Sequence, residues 1–159
     1  MIKNIFLLLF FSNFLIQCGF QPIYSENNKT VESNYETILT SENSISVQEA
    51  FNTFFRNSLK QSNYQLRINI IEQDLAIVTN ADGTVAKYRI DISTNFTLFD
   101  KINNKEIFSD FSKGFAQYES QINNYDTEQK RDEAKKIATK NSLQLIPIKI
   151  QNFQTSQIE

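Results

Sequence analysis

Between Thr84 and Asp100 apolar and polar positions alternate with a period of two. Ala86, Tyr88, Ile90, Ile92, Phe96 and Leu98 fall on one parity; Val85, Lys87, Arg89, Asp91, Ser93, Asn95 and Thr97 fall on the other, which is almost wholly polar. That pattern predicts a long antiparallel strand buried on one side only. Upstream, Tyr64, Leu66, Ile68 and Ile70 alternate with Gln65, Arg67 and Asn69, and Leu75-Ala76-Ile77-Val78 leads to Asn80-Ala81-Asp82-Gly83. An Asp-Gly step between alternating runs predicts a hairpin, so Asp82-Gly83 reads as a turn and not as a metal loop. Asn103-Asn104 predicts a second turn, and Ile107 to Tyr118 alternates again as a return strand, with Phe111 and Phe115 sharing a parity.

Two segments change period. In Ser46-Val47-Gln48-Glu49 the spacing fits a capping box, Ser46 accepting from the Glu49 N–H while Glu49 reaches back. Behind it Val47, Ala50, Phe51, Phe54, Phe55 and Leu59 recur every three or four residues, an apolar helix stripe expected to run to Gln61-Ser62-Asn63. A second helix is expected after Tyr125, capped by Asp126 or Thr127, with Ala134, Ile137 and Ala138 on its apolar side. Leu143, Ile146, Ile150 and Phe153 extend the helical spacing. Pro147 either kinks that segment or ends it at Ile146, and the apolar spacing favours a kinked continuation. A short strand at 34–40 precedes the first helix. The order strand, helix, three antiparallel strands, helix predicts an α+β fold: a two-layer sandwich with a four-stranded, mainly antiparallel sheet covered by two amphipathic helices.

The N-terminal segment has a different character. Met1-Ile2-Lys3-Asn4 carries one positive charge, and Ile5 to Ile16 is apolar apart from Ser12 and Asn13. About a dozen helical residues span roughly 18 Å, short of the ~30 Å hydrocarbon core, so the run reads as an export signal and not a membrane span. It ends on Leu15-Ile16-Gln17-Cys18, which resembles a bacterial lipobox; Gln17 stands where a small residue is usual. Cys18 is then either the lipidated residue or a small apolar residue closing the signal. As the sole cysteine it makes no intramolecular disulfide. Residues 25–33 are polar and aperiodic and read as a tether. The expected organisation is a signal peptide at 1–17, lipidated Cys and tether at 18–33, one α+β domain at 34–153 and a tail at 154–159.

Composition mainly excludes. A chain of 159 residues that is 40% hydrophobic and 21% charged suits one domain with a real core. A formal charge of −2 disfavours a general nucleic-acid binder. The absence of His and the single Cys remove imidazole acid/base chemistry and the usual zinc sites, so no metal is expected. Three dispersed glycines, Gly19, Gly83 and Gly114, make no phosphate-cradling loop. Asp91, Asp100, Glu106 and Asp110 lie on or beside strands, but their spacing matches no catalytic pair, and no nucleophile elbow surrounds any Ser. Lys130 to Lys136 alternates in sign and reads as a solvated helix face. The expectation is a binding protein and not an enzyme.

Its candidate surface is the polar sheet face. Lys87 and Arg89 point the same way, and Arg67 is placed to join them from the adjacent strand. Such cations meet glycolipid phosphates or an acidic partner surface; their commoner use is pairing with carboxylates such as Asp91, Glu72 or Glu106.

Several segments together resemble the lipopolysaccharide-assembly lipoproteins of the LptE family. Cys18-Gly19-Phe20-Gln21-Pro22-Ile23-Tyr24 is similar to that family's Cys-Gly-Phe-x-Pro-Leu-Tyr opening. Phe55-Arg56-Asn57-Ser58-Leu59 resembles its Leu-Arg-Asn-x-Leu helix, Gly83-Thr84-Val85-Ala86-Lys87-Tyr88 its turn and following strand, and Lys113-Gly114-Phe115-Ala116-Gln117-Tyr118 the stretch before its last helix. Ala81 and Asp82 precede Gly83 where some members carry a basic residue. The resemblance implies a four-stranded sheet with two helices, an outer-membrane location through lipid on Cys18, and a place inside the lumen of the LptD β-barrel as plug and assembly partner. It further implies contact with lipopolysaccharide during delivery to the outer leaflet, with no cofactor, no catalytic residue and no nucleic acid. Arg67, Lys87, Arg89 and Lys113 are the expected lipopolysaccharide or barrel contacts. The other class of reading is an unrelated envelope lipoprotein that scaffolds other components or a secretion machine.

Overall fold

The computed structural model describes residues 35–156 apart from 57, 59 and 60. The signal, Cys18, the tether, the Cys-Gly-Phe opening, Asn57 and Leu59 of the first helix motif, and the end of the tail lie outside the described residues.

Four strands form one sheet in the order β1-β2-β3-β4. They are β1 (Glu36–Leu39), β2 (Tyr64–Thr79), β3 (Val85–Asp100) and β4 (Lys105–Glu119). β1 runs parallel to β2, reached across helix α1 (Ile45–Phe54); the other pairs are antiparallel. Helices α2 (Asn124–Leu143) and α3 (Leu145–Ser156) follow β4. The fold is α+β, with helices covering one face of a four-stranded mixed sheet.

Both turns form as their residues demand. Gly83 takes φ +86°, its N–H reaching the Asn80 carbonyl at 3.0 Å, while Asp82 Oδ1 accepts from the Thr84 N–H at 2.9 Å. Asn104 takes φ 50°, a left-handed position that Asn tolerates. Before it, the Asp100 carboxylate accepts from the Ile102 and Asn103 N–H groups.

The inner parity of each strand builds the core. Leu66, Ile68 and Ile70 of β2 and Ile90, Ile92, Phe96 and Leu98 of β3 pack under Val47 and Phe51 of α1, Phe55 at its C-cap, and Ala134, Ala138, Leu143, Ile146 and Ile150 of α2 and α3. β4 contributes Tyr118 and Phe108 toward its ends and small residues, Ser112 and Gly114, in its middle. A Cβ at Gly114 would run into the Ala138 carbonyl oxygen and the Ser142 nitrogen, so α2 lies directly on the β4 backbone there. Around this contact Ser142 Oγ donates to Thr94 Oγ1 at 2.8 Å and lies 3.1 Å from Ser112 Oγ, a buried hydroxyl trio joining helix to sheet. Farther along, Phe153 stacks on Phe108 with centroids 4.6 Å apart.

The helix ends depart from the expected ones. Ser44, not Ser46, precedes α1, and Ser46 Oγ instead donates to Asp132 on α2 at 2.7 Å. The carboxylate at the start of α1 comes from Glu72 on β2. It accepts from the Ser44 N–H at 2.8 Å, the Ser44 hydroxyl at 2.8 Å and Asn43 Nδ2 at 3.1 Å, and pairs with Lys135 at 3.1 Å. A local capping box is thus replaced by a carboxylate 28 residues downstream. α1 ends at Phe54, short of Gln61. Asn123, not Asp126 or Thr127, caps α2, accepting from the Tyr125 N–H at 2.9 Å; Thr127 Oγ1 accepts instead from the Gln121 N–H. Ile137, expected on the apolar stripe, is exposed. The helical path does continue past Pro147, but as two helices parted at Gln144. Proline cannot donate to the carbonyl four residues back, so the break falls upstream and Pro147 sits in the first turn of α3, where its missing N–H leaves no gap.

Candidate functional site: the open face of the sheet

Among the described residues, no helix lies against the opposite sheet face. Register sets its rows: Asn69, Asn95 and Phe111 lie side by side, as do Ile71, Ser93 and Lys113, then Gln73, Asp91 and Phe115, then Leu75, Arg89 and Gln117. The middle strand carries only polar and charged groups in these rows. Ile71 and Leu75 line one side of it and Phe111 and Phe115 the other, all four exposed.

All four expected cations point to this face, and register spaces them out. Arg67 pairs with Thr97, whereas Arg89 pairs with Leu75, which at a strand rise of about 3.3 Å per residue sets them roughly 26 Å apart along β2. Arg67 therefore does not join Lys87 and Arg89 in one cluster. Lys113 lies between, beside Ser93.

Their partners differ. Arg89 grips Asp91 on its own strand with two bonds, Nε to Oδ1 at 2.6 Å and Nη2 to Oδ2 at 3.0 Å, and those bonds hold its guanidinium above its ordinary pKa. Lys87 stands 3.9 Å from Glu119. Of the three expected carboxylate partners, Asp91 serves this face. Glu72 lies beneath it among the helices, and Glu106 makes no ion pair among the described residues. Arg67 and Lys113 also have no carboxylate among the described residues. Arg67 lies 3.9 Å over the Phe99 ring with Nε bonded to Gln65 Oε1 at 2.7 Å, and Lys113 Nζ stands 5.9 Å from the centre of Phe111. Arg89 also reaches over Phe115, and Lys149 of α3 over Phe111.

The rings of Phe111 and Phe115 are the residues that sequence reasoning did not assign to a surface. Their shared parity was visible, but which parity faced out was decided by Ser112 and Gly114. Small residues at the alternate positions are the signal that a helix lies against that side.

No protein-family model matches the chain, and no curated protein does. Solved structures do. A protein described as a lipoprotein from Caulobacter crescentus CB15 superposes with a TM-score of 0.61 at 16% identity, covering 78% of this chain and 92% of that one. The rare lipoprotein B of Shewanella oneidensis gives 0.53 at 14% identity, covering 76% and 98%. Lipoprotein B of Nitrosomonas europaea gives 0.55 at 12%, covering 78% and 86%. The fold is one found in bacterial lipoproteins.

Among the described residues no group of three or more His, Cys, Asp or Glu is placed to hold a metal ion, and no helix is long and apolar enough to cross a membrane. The acidic groups under the sheet serve packing. Burial raises the Glu72 carboxyl, but the bonds from Ser44, Lys135 and Asn43 outweigh it and hold the group below the usual range. Tyr118 donates to Asp74 at 2.9 Å, and burial followed by that carboxylate pushes its phenol well above the ordinary value.

Proposed function

We propose that the protein is an outer-membrane lipoprotein, anchored by lipid on Cys18, that plugs and helps assemble an LptD-type β-barrel and assists insertion of lipopolysaccharide into the outer leaflet. The observation that carries this reading is the uncovered sheet face. It is long, polar along its middle strand, dotted with cations and flanked by the exposed Ile71, Leu75, Phe111 and Phe115, on a fold shared with bacterial lipoproteins. The lumen of a large outer-membrane barrel is polar, and the polar middle strand can exchange its water contacts for polar contacts with the lumen wall. The lipobox-like Leu15-Ile16-Gln17-Cys18 and the ordered family resemblance support the same reading. Each buried methylene contributes about 0.8 kcal/mol, so several acyl chains on Cys18 make a stable anchor. The role is one of binding: the lipid keeps the sandwich at the membrane, and its surfaces meet the barrel wall.

The test is purification of the tagged protein from native outer membranes in mild detergent, with mass spectrometry of what accompanies it. Stoichiometric recovery of one very large β-barrel is expected. Recovery alone, or with inner-membrane or secretion components, contradicts the proposal.

A further inference from the structure

Among the described residues β4 is an edge strand of 15 residues, paired on one side with β3. In an antiparallel ladder, alternate residues turn their backbone groups toward the partner and away from it. The Ser120 N–H reaches Ala86 on the β3 side, so the even-numbered residues face β3 and the odd-numbered ones face the free edge. Two contacts agree with that assignment. The Phe111 N–H is taken up by Asp110 Oδ1 at 2.7 Å, and the Phe115 carbonyl accepts from Asn141 Nδ2 at 3.3 Å. Between those two capped groups, Lys113 has neither its N–H nor its carbonyl bonded among the described residues.

The same odd-numbered residues send their side chains to the open face. Phe111 is 54% exposed and Phe115 59%, with Lys113 between them. Other cations stand over the rings: Lys149 is 5.4 Å from the centre of Phe111 and Arg89 is 5.2 Å from that of Phe115. Lys149 and Arg89 are each paired with a carboxylate, Asp110 and Asp91, whereas Lys113 has none among the described residues. Natural edge strands are commonly guarded by a charge. Here the guarding lysine is flanked by two exposed aromatic rings.

We propose that the β4 edge is a docking site for an extended segment of a partner protein, added as a fifth strand beside Lys113. The segment carries an acidic residue between two apolar ones at alternate positions, apolar-x-acidic-x-apolar. Backbone hydrogen bonds to the Lys113 edge supply affinity, and the two outer apolar side chains cover Phe111 and Phe115. The carboxylate opposite Lys113 supplies the choice of partner, since opposite charges across a strand pair attract and like charges repel. This inference does not depend on the barrel reading, because any envelope partner with such a segment satisfies it.

The probe is an acetylated and amidated peptide, Ser-Phe-Thr-Glu-Thr-Val-Ser, titrated into the 15N-labelled protein and followed by amide chemical shifts and hydrogen exchange. Controls are the same peptide with Lys for Glu, and the same peptide N-methylated at the amides facing the edge. The expected result is saturable binding, with shifts and slowed exchange centred on Lys113 and Phe115. The Lys peptide is expected to bind about tenfold more weakly, and Lys113→Glu to reverse that preference. The N-methylated peptide is expected not to bind. Absence of binding, equal binding of the acidic and basic peptides on the unmodified protein, undiminished binding after N-methylation, or shifts mapping away from β4 each overturns the proposal. A barrel recovered in the detergent purification alongside a silent β4 edge would defeat this inference and leave the plug reading standing.

Discussion

β3 holds two proteins in one strand. Its inward residues Ile90, Ile92, Thr94, Phe96 and Leu98 are all buried beneath the helices. Its outward residues Arg89, Asp91, Ser93, Asn95 and Thr97 face a sheet surface on which no helix packs among the described residues. The first set holds the fold together, by apolar packing and, at Thr94, by the hydrogen bond from Ser142. The second contributes little to folding and is available for binding. Because the pleat alternates strictly, adjacent residues answer to different demands, and substitutions one position apart should behave in opposite ways.

The largest contrast is between two phenylalanines. Phe96 is fully buried, so Phe96→Ala should destabilise by about 4 kcal/mol through lost contacts and the cavity left behind. Phe115→Ala removes an exposed ring and should shift stability by less than about 0.5 kcal/mol. Urea unfolding of the two variants measures both, and a large loss at Phe115 would mean that the outer face is structural.

The next pair lies on β4. Gly114→Ala places a methyl against the backbone of α2, which has no rotamer with which to yield, and should cost about 3 kcal/mol. Lys113→Ala, one residue away on the open side, should leave the unfolding midpoint unchanged. Should Gly114→Ala prove neutral, α2 does not lie on the strand as described.

A smaller effect concerns the seam joining α1, β2 and α2. Glu72→Gln removes the charge that Ser44, Asn43 and Lys135 share and should destabilise by about 2 kcal/mol at neutral pH. Its pH dependence has a definite sign. The folded carboxyl titrates below its unfolded value of about 4.3, so its contribution is present above that pH and lost as pH falls through the folded value. The stability gap between the wild type and Glu72→Gln should therefore narrow on acidification below about pH 4, in denaturant titrations at matched ionic strength. A gap that widens contradicts the assignment. Smallest of all, Arg89→Ser should leave stability unchanged, since its partner Asp91 lies on the same exposed strand and needs no buried compensation.

How much of this was legible depended on how far the deciding contact lay in sequence. Alternation along β3 and the Asp82-Gly83 turn are local, and both were readable to within a residue or two. The start of α1 was not, because its carboxylate arrives from Glu72 across the sheet while Glu49 offered a plausible local partner. Asn123 was passed over as the α2 cap because Asp126 and Thr127 offered equally good side chains within three or four residues. Pro147 signalled a disturbance correctly, but its effect falls at Gln144, where the upstream carbonyl loses its donor. On the candidate site, side-chain parity put Lys87 and Arg89 on one face with Arg67 placed to join them, while Lys113 entered only through the family resemblance. Strand register, which no single segment encodes, spread them along it. The exposed pair Phe111 and Phe115 needed knowledge of which side of β4 the helix would choose.

The proposed barrel contact lies on the open sheet face and not on the helical surface. Photo-crosslinking in intact cells tests it directly, with a benzophenone side chain placed singly at Asn69, Gln73, Ser93 and Lys113 and, on the helices, at Gln129 and Asn152. The account predicts adducts to one large outer-membrane barrel from the four sheet positions, at yields well above those from the helices. Adducts confined to Gln129 and Asn152, with none from the sheet, would contradict it.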